Sequence, residues 1–126
     1  MPEPGSPSAM SSNKKLVLDH MAAKPAKAAE VLADDFEWIE WADGVPREGV
    51  RTKGRAAFVQ GFGDDDLRDE IQRVIEEGNV VAVEGVAHVT KKDGKKLDVQ
   101  FCNIFEVEHG KIKRKSSYAA LIKDAA

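Results

Sequence analysis

The segment Val80–Glu108, VVAVEGVAHVTKKDGKKLDVQFCNIFEVE, decides the fold of this chain. Two runs of mostly alternating side chains flank the dipeptide Asp93-Gly94, which is among the strongest short-range signals for a β-hairpin. Two further strands are expected on either side of this hairpin, at Leu67–Glu76 and Lys111–Leu121. The second half of the chain therefore predicts an antiparallel meander.

Composition restricts the classes of protein to consider. A chain of 126 residues, 42% hydrophobic and 33% charged, fits one ordinary globular domain. A net charge of -3 argues against a nucleic-acid partner, which usually requires a basic surface. The single cysteine, Cys102, excludes an intrachain disulfide, and no apolar run approaches the roughly 20 residues of a membrane span. We expect a cytoplasmic protein without a membrane partner.

The first half of the chain predicts helices and one strand. Residues 1–12 are rich in Pro, Ser and Gly, so we expect a disordered tail, native or left over from expression, before a single domain at 13–126. Helices are expected after Asn13, from Pro25 to about Asp34 and over Arg55–Phe62, with a strand at Phe36–Trp41. Helices followed by a sheet predict an α+β fold.

Strand pairing around the predicted turns places a polar row in the middle of one sheet face. If Asp93 and Gly94 are the only loop residues of the hairpin, Glu84 lies directly opposite Asn103, and opposed residues share a face. The same counting at the neighbouring turns adds the two flanking strands to this face. Its predicted members are Arg73, Glu84, Asn103 and Ser116 in the polar row, with Val86, Phe101, Phe105 and Tyr118 beside it. We expect these residues to line a small-molecule pocket.

The opposite face of the same sheet is also apolar. On the strand Val80–Thr90 it would carry Val81, Val83, Gly85, Ala87 and Val89. Such a face is too apolar to meet only water. A second copy packed sheet against sheet would cover it, so we expect a homodimer through this outer face.

Three segments resemble the cone-shaped α+β superfamily named after nuclear transport factor 2, and within it the SnoaL-like group. They read VLADDFEW at Val31–Trp38, GVPREGVRTKGRAAFVQGF at Gly44–Phe62 and FEVEHGKIKRKSSYAAL at Phe105–Leu121. The resemblance implies N-terminal helices packed on a curved, mainly antiparallel sheet around an apolar cavity. It implies little about activity, because the superfamily contains isomerases, cyclases, epoxide hydrolases and binding proteins without catalysis.

Two branches of this superfamily help to select candidate catalytic residues. Counted along the ketosteroid isomerase pattern from Asp34-Asp35, Glu40 occupies the position of the general-base aspartate, and Asn103 aligns with the partner acid. The donor tyrosine of the first helix is missing. The acids of limonene-epoxide hydrolases are absent from Glu84–His88 and Lys115–Tyr118, which argues against epoxide hydrolysis.

Two functions stay open. In the first, Glu40 removes a proton next to the carbonyl of a small apolar substrate, as in an isomerase or cyclase. Asn103, helped by Tyr118 or Ser116, would hold the developing oxyanion. In the second, the chain is a non-catalytic ligand-binding or dimerisation module, and the polar row only satisfies its own hydrogen bonds.

The remaining candidates complete the pocket or have structural explanations. Trp38 is expected to stack on the ligand, and Phe58 to line the pocket. His88 would lie opposite Asp69, in a catalytic dyad or in an ordinary surface pair. The histidines have no metal-ligand spacing and there is no Gly-rich phosphate loop, so we expect no metal and no cofactor.

Overall fold

The computed structural model describes residues 12–61 and 66–122. Most of the predicted tail and Phe62, at the end of the third predicted helix, lie outside the described residues. The helices are α1 (Ser12–Ala22), α2 (Pro25–Ala28), which continues as a 3-10 turn at Ala29–Val31, and α3 (Arg55–Gln60). Pro25 begins α2, where its missing N–H costs no hydrogen bond. Within the described ranges, no helix is long and apolar enough to cross a membrane.

Six strands form one curved sheet. They are β1 (Leu32–Trp41), β2 (Val50–Lys53), β3 (Asp66–Glu77), β4 (Val80–Thr90), β5 (Lys96–Glu108) and β6 (Lys111–Ile122). Their order is β2-β1-β6-β5-β4-β3, with β1 and β6 parallel and every other pair antiparallel. The α+β fold with helices on a mainly antiparallel sheet is confirmed. One local prediction was wrong, because β1 begins at Leu32, inside the segment that was expected to be helical, and the short strand β2 was not predicted.

The helices pack against the concave side of the sheet, which we call the inner face. Phe36, Val81, Val83, Phe105 and Ile112 are fully or almost fully buried there, under α1 and α3. Burial of these side chains supplies the main apolar stabilisation of the domain. The inner face is therefore both the core and the place where any enclosed site must lie.

The central hairpin has a different register from the one predicted. The backbone N–H of Gly94 donates to the Lys91 carbonyl, and Gly94 is in the left-handed region with φ 88°. This geometry is a three-residue loop with a type I turn, whereas the prediction assumed the two-residue loop typical of Asp-Gly. Thr90 consequently pairs with Lys96, and the register moves by one residue.

A one-residue shift exchanges the two faces of β4 relative to β5. Glu84 pairs with Cys102, and Val83, not Glu84, lies opposite Asn103. The prediction that Glu84, Val86 and His88 line the pocket was therefore wrong, since all three lie on the convex, outer face. Conversely, the apolar β4 residues assigned to an exposed face are inside: Val81, Val83, Gly85, Ala87 and Val89.

A β-bulge in β6 changes which of its residues face the core. The two-residue turn at His109-Gly110 is as predicted, but the pairing shifts by one residue between Val107 and Glu106. Beyond the shift Cys102 lies opposite Tyr118, and Asn103 lies opposite Ser117. The predicted inward positions of Ser116 and Tyr118 were therefore wrong.

A second irregularity lies in β3. Arg73 is opposite Glu84 as predicted, but both belong to the outer face. The pairing then shifts between Ile71 and Arg73, so that Asp69 lies opposite Ala87 and not opposite His88. Asp69 is thereby placed on the inner side of the sheet.

Gly85 permits this irregularity, and its replacement by alanine should be costly. A Cβ atom there would overlap the backbone carbonyl of Glu70 and come within 3.1 Å of the Phe101 ring. Because the obstacle is mostly backbone, we expect Gly85→Ala to lower the free energy of unfolding by roughly 1–3 kcal/mol. Urea unfolding followed by circular dichroism measures this loss. Gly61→Ala is the control, since its nearest contact would be 3.4 Å and its φ is ordinary; equal stability of both variants would contradict the prediction.

Candidate functional site

Two rows of side chains cross the inner face at its centre. Trp38 on β1 pairs with Lys115 on β6, which pairs with Phe105 on β5. One step further along the same strands, Glu40 pairs with Ser117, which pairs with Asn103. Residues opposed in this way share a face, so an aromatic row containing one lysine lies beside a polar row.

Lys115 is the charged group at the centre of this arrangement. Only 7% of the residue is exposed. Its Nζ lies 4.3 Å from the centroid of the Trp38 ring and 5.6 Å from that of Phe105, distances typical of cation–π contacts. Burial lowers the pKa of Lys115 to about 8, and the negative charges of Asp69 and Glu40 act against this decrease. A substantial neutral fraction of this amine is therefore present near neutral pH.

Two carboxyl groups face the lysine from different strands. Burial raises the pKa of Glu40, which is half-buried on β1, and the Lys115 charge opposes this rise. Burial likewise raises the pKa of Asp69 and the Lys115 charge opposes this rise, although Asp69 lies on the edge strand β3 and keeps much of its surface in solvent. Glu40 is the better enclosed of the two and thus the better candidate for acid–base chemistry.

Ser117 and Asn103, the two uncharged residues of the polar row, differ in whether their side chains already have a hydrogen-bond partner. Trp38 Nε1 donates to Ser117 Oγ at 2.9 Å, so this serine hydroxyl already has a partner. Asn103 is 9% exposed, and its amide makes no hydrogen bond to a described residue. The nitrogen and oxygen of this amide nevertheless keep some exposed surface, since neither is a fully buried atom without a hydrogen-bond partner. Its amide therefore touches open space and can donate to a ligand.

His20 on α1 forms part of the lid over this face. Its Nδ1 donates to the Ala28 carbonyl at 2.9 Å, which leaves Nε2 as the acceptor of a neutral ring. The ring packs against Phe58 and Phe105, with centroids 5.5 and 5.8 Å away. The pKa of His20 is lowered to about 4, mainly by burial and in part by the nearby Lys115 charge, while the hydrogen bond to Ala28 acts against both.

The predicted site residues divide into two groups. Those that the structure brings together are Trp38, Glu40, Phe101, Asn103 and Phe105 on the inner face, with Phe58 above them on α3. Those on the other side of the sheet are Arg73, Glu84, Val86, His88, Ser116 and Tyr118. The second group cannot contact a ligand held by the first.

The outer-face residues have structural partners. Arg73 and Glu84 form an exposed ion pair at 3.1 Å. Tyr118 stacks on Trp41, with ring centroids 5.0 Å apart and planes within 7°. His88 places its ring nitrogens 2.8 Å from Asp98 and 3.0 Å from Glu70, and these hydrogen bonds raise its pKa. Two ionised carboxylates can only accept, so this arrangement fits a protonated imidazole that links three strands.

Reasoning from sequence did not place Lys115 and Ser117 in the site, nor His20 on the helix above it. Lys115 belongs to the basic start of β6, and alternation alone could not assign its face because the bulge lies just before it. Asp69 was considered only as a partner of His88, from which the shift in β3 separates it. The apolar stripe around His20 was a signal that this helix covers the core.

The far end of the inner face is apolar and open. Leu67, Ile71 and Leu121 lie opposite inner-face residues yet are exposed. Two surface hollows, of about 280 and 480 Å³, lie around Asp34 and Asp35. Their walls are mainly charged and solvent-exposed, unlike the aromatic inner face, so we place the candidate site on the inner face. Within the described ranges, no cluster of three or more His, Cys, Asp or Glu side chains could hold a metal ion.

Comparisons with known proteins agree with this architecture. Solved structures with the same fold include an NTF2-like protein from Burkholderia thailandensis, with a TM-score of 0.72 at 21% identity over 87% of this chain and 92% of that one. A Mesorhizobium loti protein provisionally named a SnoaL-like polyketide cyclase has a TM-score of 0.67 at 22% identity, over 85% and 95%. An LEH-like epoxide hydrolase from M. tuberculosis has a TM-score of 0.69 at 20% identity, over 86% and 82%.

Likeness at these identities establishes the fold and not the reaction. A comparison with curated proteins found no match. A family model described as a SnoaL-like domain matches residues 18–115, which is most of the chain. The chain therefore belongs to the SnoaL-like domain family and has the fold of NTF2-like proteins.

Proposed function

We propose that this protein is an enzyme that removes a proton from the carbon next to the carbonyl group of a small, largely apolar compound, as an isomerase or a cyclase does. The observation that carries the proposal is the shared inner-face position of Glu40 and Asn103, one row away from the buried Lys115. A base, a hydrogen-bond donor and a positive charge therefore share one face of the sheet. These are the groups that enolate formation requires.

The chemistry assigns one role to each group. Glu40 takes the proton, and the electron pair of the broken C–H bond moves to the carbonyl oxygen. The Asn103 amide and the positive charge at Lys115 stabilise the resulting oxyanion. Return of the proton at another carbon completes an isomerisation, whereas attack of the enolate carbon on a second carbonyl completes a cyclisation. The raised pKa of Glu40 strengthens it as a base near neutral pH.

The side chains around the polar groups of the inner face indicate the substrate class. Trp38, Phe58, Phe101 and Phe105 surround the polar groups, and the open end is lined by aliphatic side chains. Such a surface favours a compound with rings or chains and few polar substituents. The fold of a protein provisionally named a polyketide cyclase is compatible with a substrate of this kind.

Proton exchange on simple ketones tests the proposal. Glu40→Gln keeps the size of the side chain but removes the base, so we expect the rate of deuterium exchange at the carbon next to the carbonyl to fall roughly a hundredfold or more. Proton NMR of cyclic ketones in heavy water measures this rate. Glu37→Gln is the matched control, because Glu37 lies on the same strand but on the outer face, paired with Arg51 at 3.1 Å. Exchange by Glu40→Gln at the wild-type rate would contradict the proposal.

The second candidate function is a binding protein without catalysis. It is favoured by the hydrogen bonds that already occupy Ser117 and His20, since these show that part of the polar region holds the fold together. If the wild-type protein binds apolar carbonyl compounds but does not accelerate exchange, this function replaces the first.

The homodimer and the cytoplasmic location remain proposals. The strand residues that first suggested an apolar outer face lie inside. However, Ile75, Tyr118 and Ile122 are exposed on the outer face, and a second copy packed there would cover them. Native mass spectrometry of the intact chain would detect such a dimer.

A further inference from the structure

We infer that Lys115 is a nucleophilic amine that forms a covalent imine with the carbonyl substrate. The inference rests on the proposed function for its substrate class and goes beyond it in the role of the lysine. In the reaction above, Lys115 acts only through its charge. Its surroundings fit a direct reaction with the carbonyl carbon.

The Lys115 amine lies among aromatic rings. Lys115 Nζ lies over the Trp38 ring, with Phe105 and Phe58 rings at 5.6 and 5.9 Å. Aromatic rings on several sides keep bulk water away and present a flat apolar surface to a substrate. A carbonyl compound bound on the inner face against these rings would therefore meet the nitrogen atom.

The Lys115 amine is also not held by a hydrogen bond or an ion pair to a described residue. Nζ makes no hydrogen bond and no ion pair within 4.0 Å to any residue in the described parts of the chain. In those parts, Arg114 Nε is the fully enclosed side-chain nitrogen or oxygen without a hydrogen-bond partner, and Lys115 Nζ is not in that class. Nζ therefore touches open space. An attacking nitrogen requires such access to a carbonyl carbon.

The protonation state of Lys115 also suits a nucleophile. With a pKa of about 8, roughly one tenth of Lys115 is neutral at pH 7, compared with less than a thousandth of an ordinary lysine. Only the neutral amine has the lone pair that attacks. Desolvation of a lysine is a known way to produce such a nucleophile.

The step balances without a further reactant. The Nζ lone pair forms a bond to the carbonyl carbon while the carbonyl π pair moves to oxygen, and proton transfer gives a carbinolamine. One proton taken up at the carbinolamine oxygen lets the hydroxyl leave as water, which breaks the C–O bond and leaves an iminium ion. The iminium nitrogen accepts the electron pair when Glu40 removes the neighbouring proton, giving an enamine. Hydrolysis returns the free lysine, so the residue acts catalytically.

Reductive trapping tests the inference on the intact wild-type protein. Acetone and sodium cyanoborohydride at pH 7 convert an iminium ion into a stable isopropyl amine, and peptide mass spectrometry locates it. We expect Lys115 to be modified at least about tenfold faster than Lys113, because burial gives Lys115 a much larger neutral fraction than an ordinary lysine has. Lys113 is an internal control on the same strand, half-exposed and near the carboxylates of Asp35 and Glu108. This comparison needs no substitution, so it does not depend on a variant that folds.

Two variants sharpen the test. Lys115→Met should abolish the fast labelling, whereas Lys113→Arg should leave it unchanged. Labelling of Lys115 no faster than that of Lys113 overturns the inference. If deuterium exchange still depends on Glu40 in that case, the proposed function stands with Lys115 acting only through its charge. If Lys115 is trapped rapidly but the wild-type protein catalyses no exchange, the imine is supported and the role of Glu40 as the base fails.

Discussion

Replacement of Phe58 by alanine is expected to lower the free energy of unfolding by about 3–5 kcal/mol, a large part of the roughly 5–15 kcal/mol that stabilises a typical domain. Phe58 is 1% exposed and is the buried residue of α3. Its ring lies 5.8 Å from Phe36 and 5.5 Å from Trp38 between centroids. Because these neighbours belong to the rigid sheet, the cavity left by alanine cannot close fully.

Urea unfolding followed by tryptophan fluorescence measures this loss. Phe58→Leu keeps most of the volume and should lose clearly less stability. Val59→Ala, on the same helix but only partly buried, controls for changes in helix propensity. A Phe58→Ala variant with a free energy of unfolding within about 1 kcal/mol of the wild type would mean that the packing of α3 on the inner face contributes little to stability.

Acidification from pH 6.5 to pH 4 is expected to destabilise the protein through His20, by about 3 kcal/mol if this residue acts alone. The pKa of His20 is about 4 in the folded state and near 6.5 in the unfolded state. Between these values the unfolded chain binds the additional proton, so stability falls as pH falls. The contribution is complete above pH 6.5 and levels off below pH 4.

Other groups in the site act in the opposite direction, so the test must be a comparison. The raised pKa values of Glu40 and Asp69 mean that the folded state binds protons more readily at these two carboxyls, which favours folding on acidification. His20→Asn removes the titrating ring and can keep the hydrogen bond to Ala28, so its stability should decrease less between pH 6.5 and pH 4. Urea midpoints at four or five pH values give the two curves.

A matched histidine variant identifies the cause. His109 is in the turn between β5 and β6, with a side chain that is 90% exposed. His109→Asn should follow the wild-type curve. Identical curves for the wild type and His20→Asn would show that the buried ring does not control the acid response.

Strand positions were predictable because they depend on short-range patterns. The alternation in β4 and β5 and the turn at His109-Gly110 are local properties, and the structure contains both. The inward direction of Phe36 and Trp38, opposite to Ile39, also follows from alternation within one strand. Alternation along each strand therefore placed Glu40 on the same face as Trp38, and Asn103 on the same face as Phe105, without the need to know any long-range contact.

The composition of the site was not predictable, because it depends on register between strands. A type I turn with Gly94 in the left-handed region, in place of a two-residue turn, moved Glu84 and His88 outside. A single bulge in β6 moved Lys115 and Ser117 inside. Each displacement is one residue, and one residue is enough to reverse the face of every side chain beyond it.

The sequence by itself therefore determined the order of the elements, the family and the aromatic and apolar character of the inner side chains, since these are properties of local pattern. Only the tertiary structure decided which charged groups share the inner face. The free energy of burying Val81 and Val83 beneath the helices selects the register of β4 on β5, and the bulge in β6 turns the Lys115 amine to the face that also carries the Glu40 carboxyl. The site chemistry is thus a consequence of packing across the sheet.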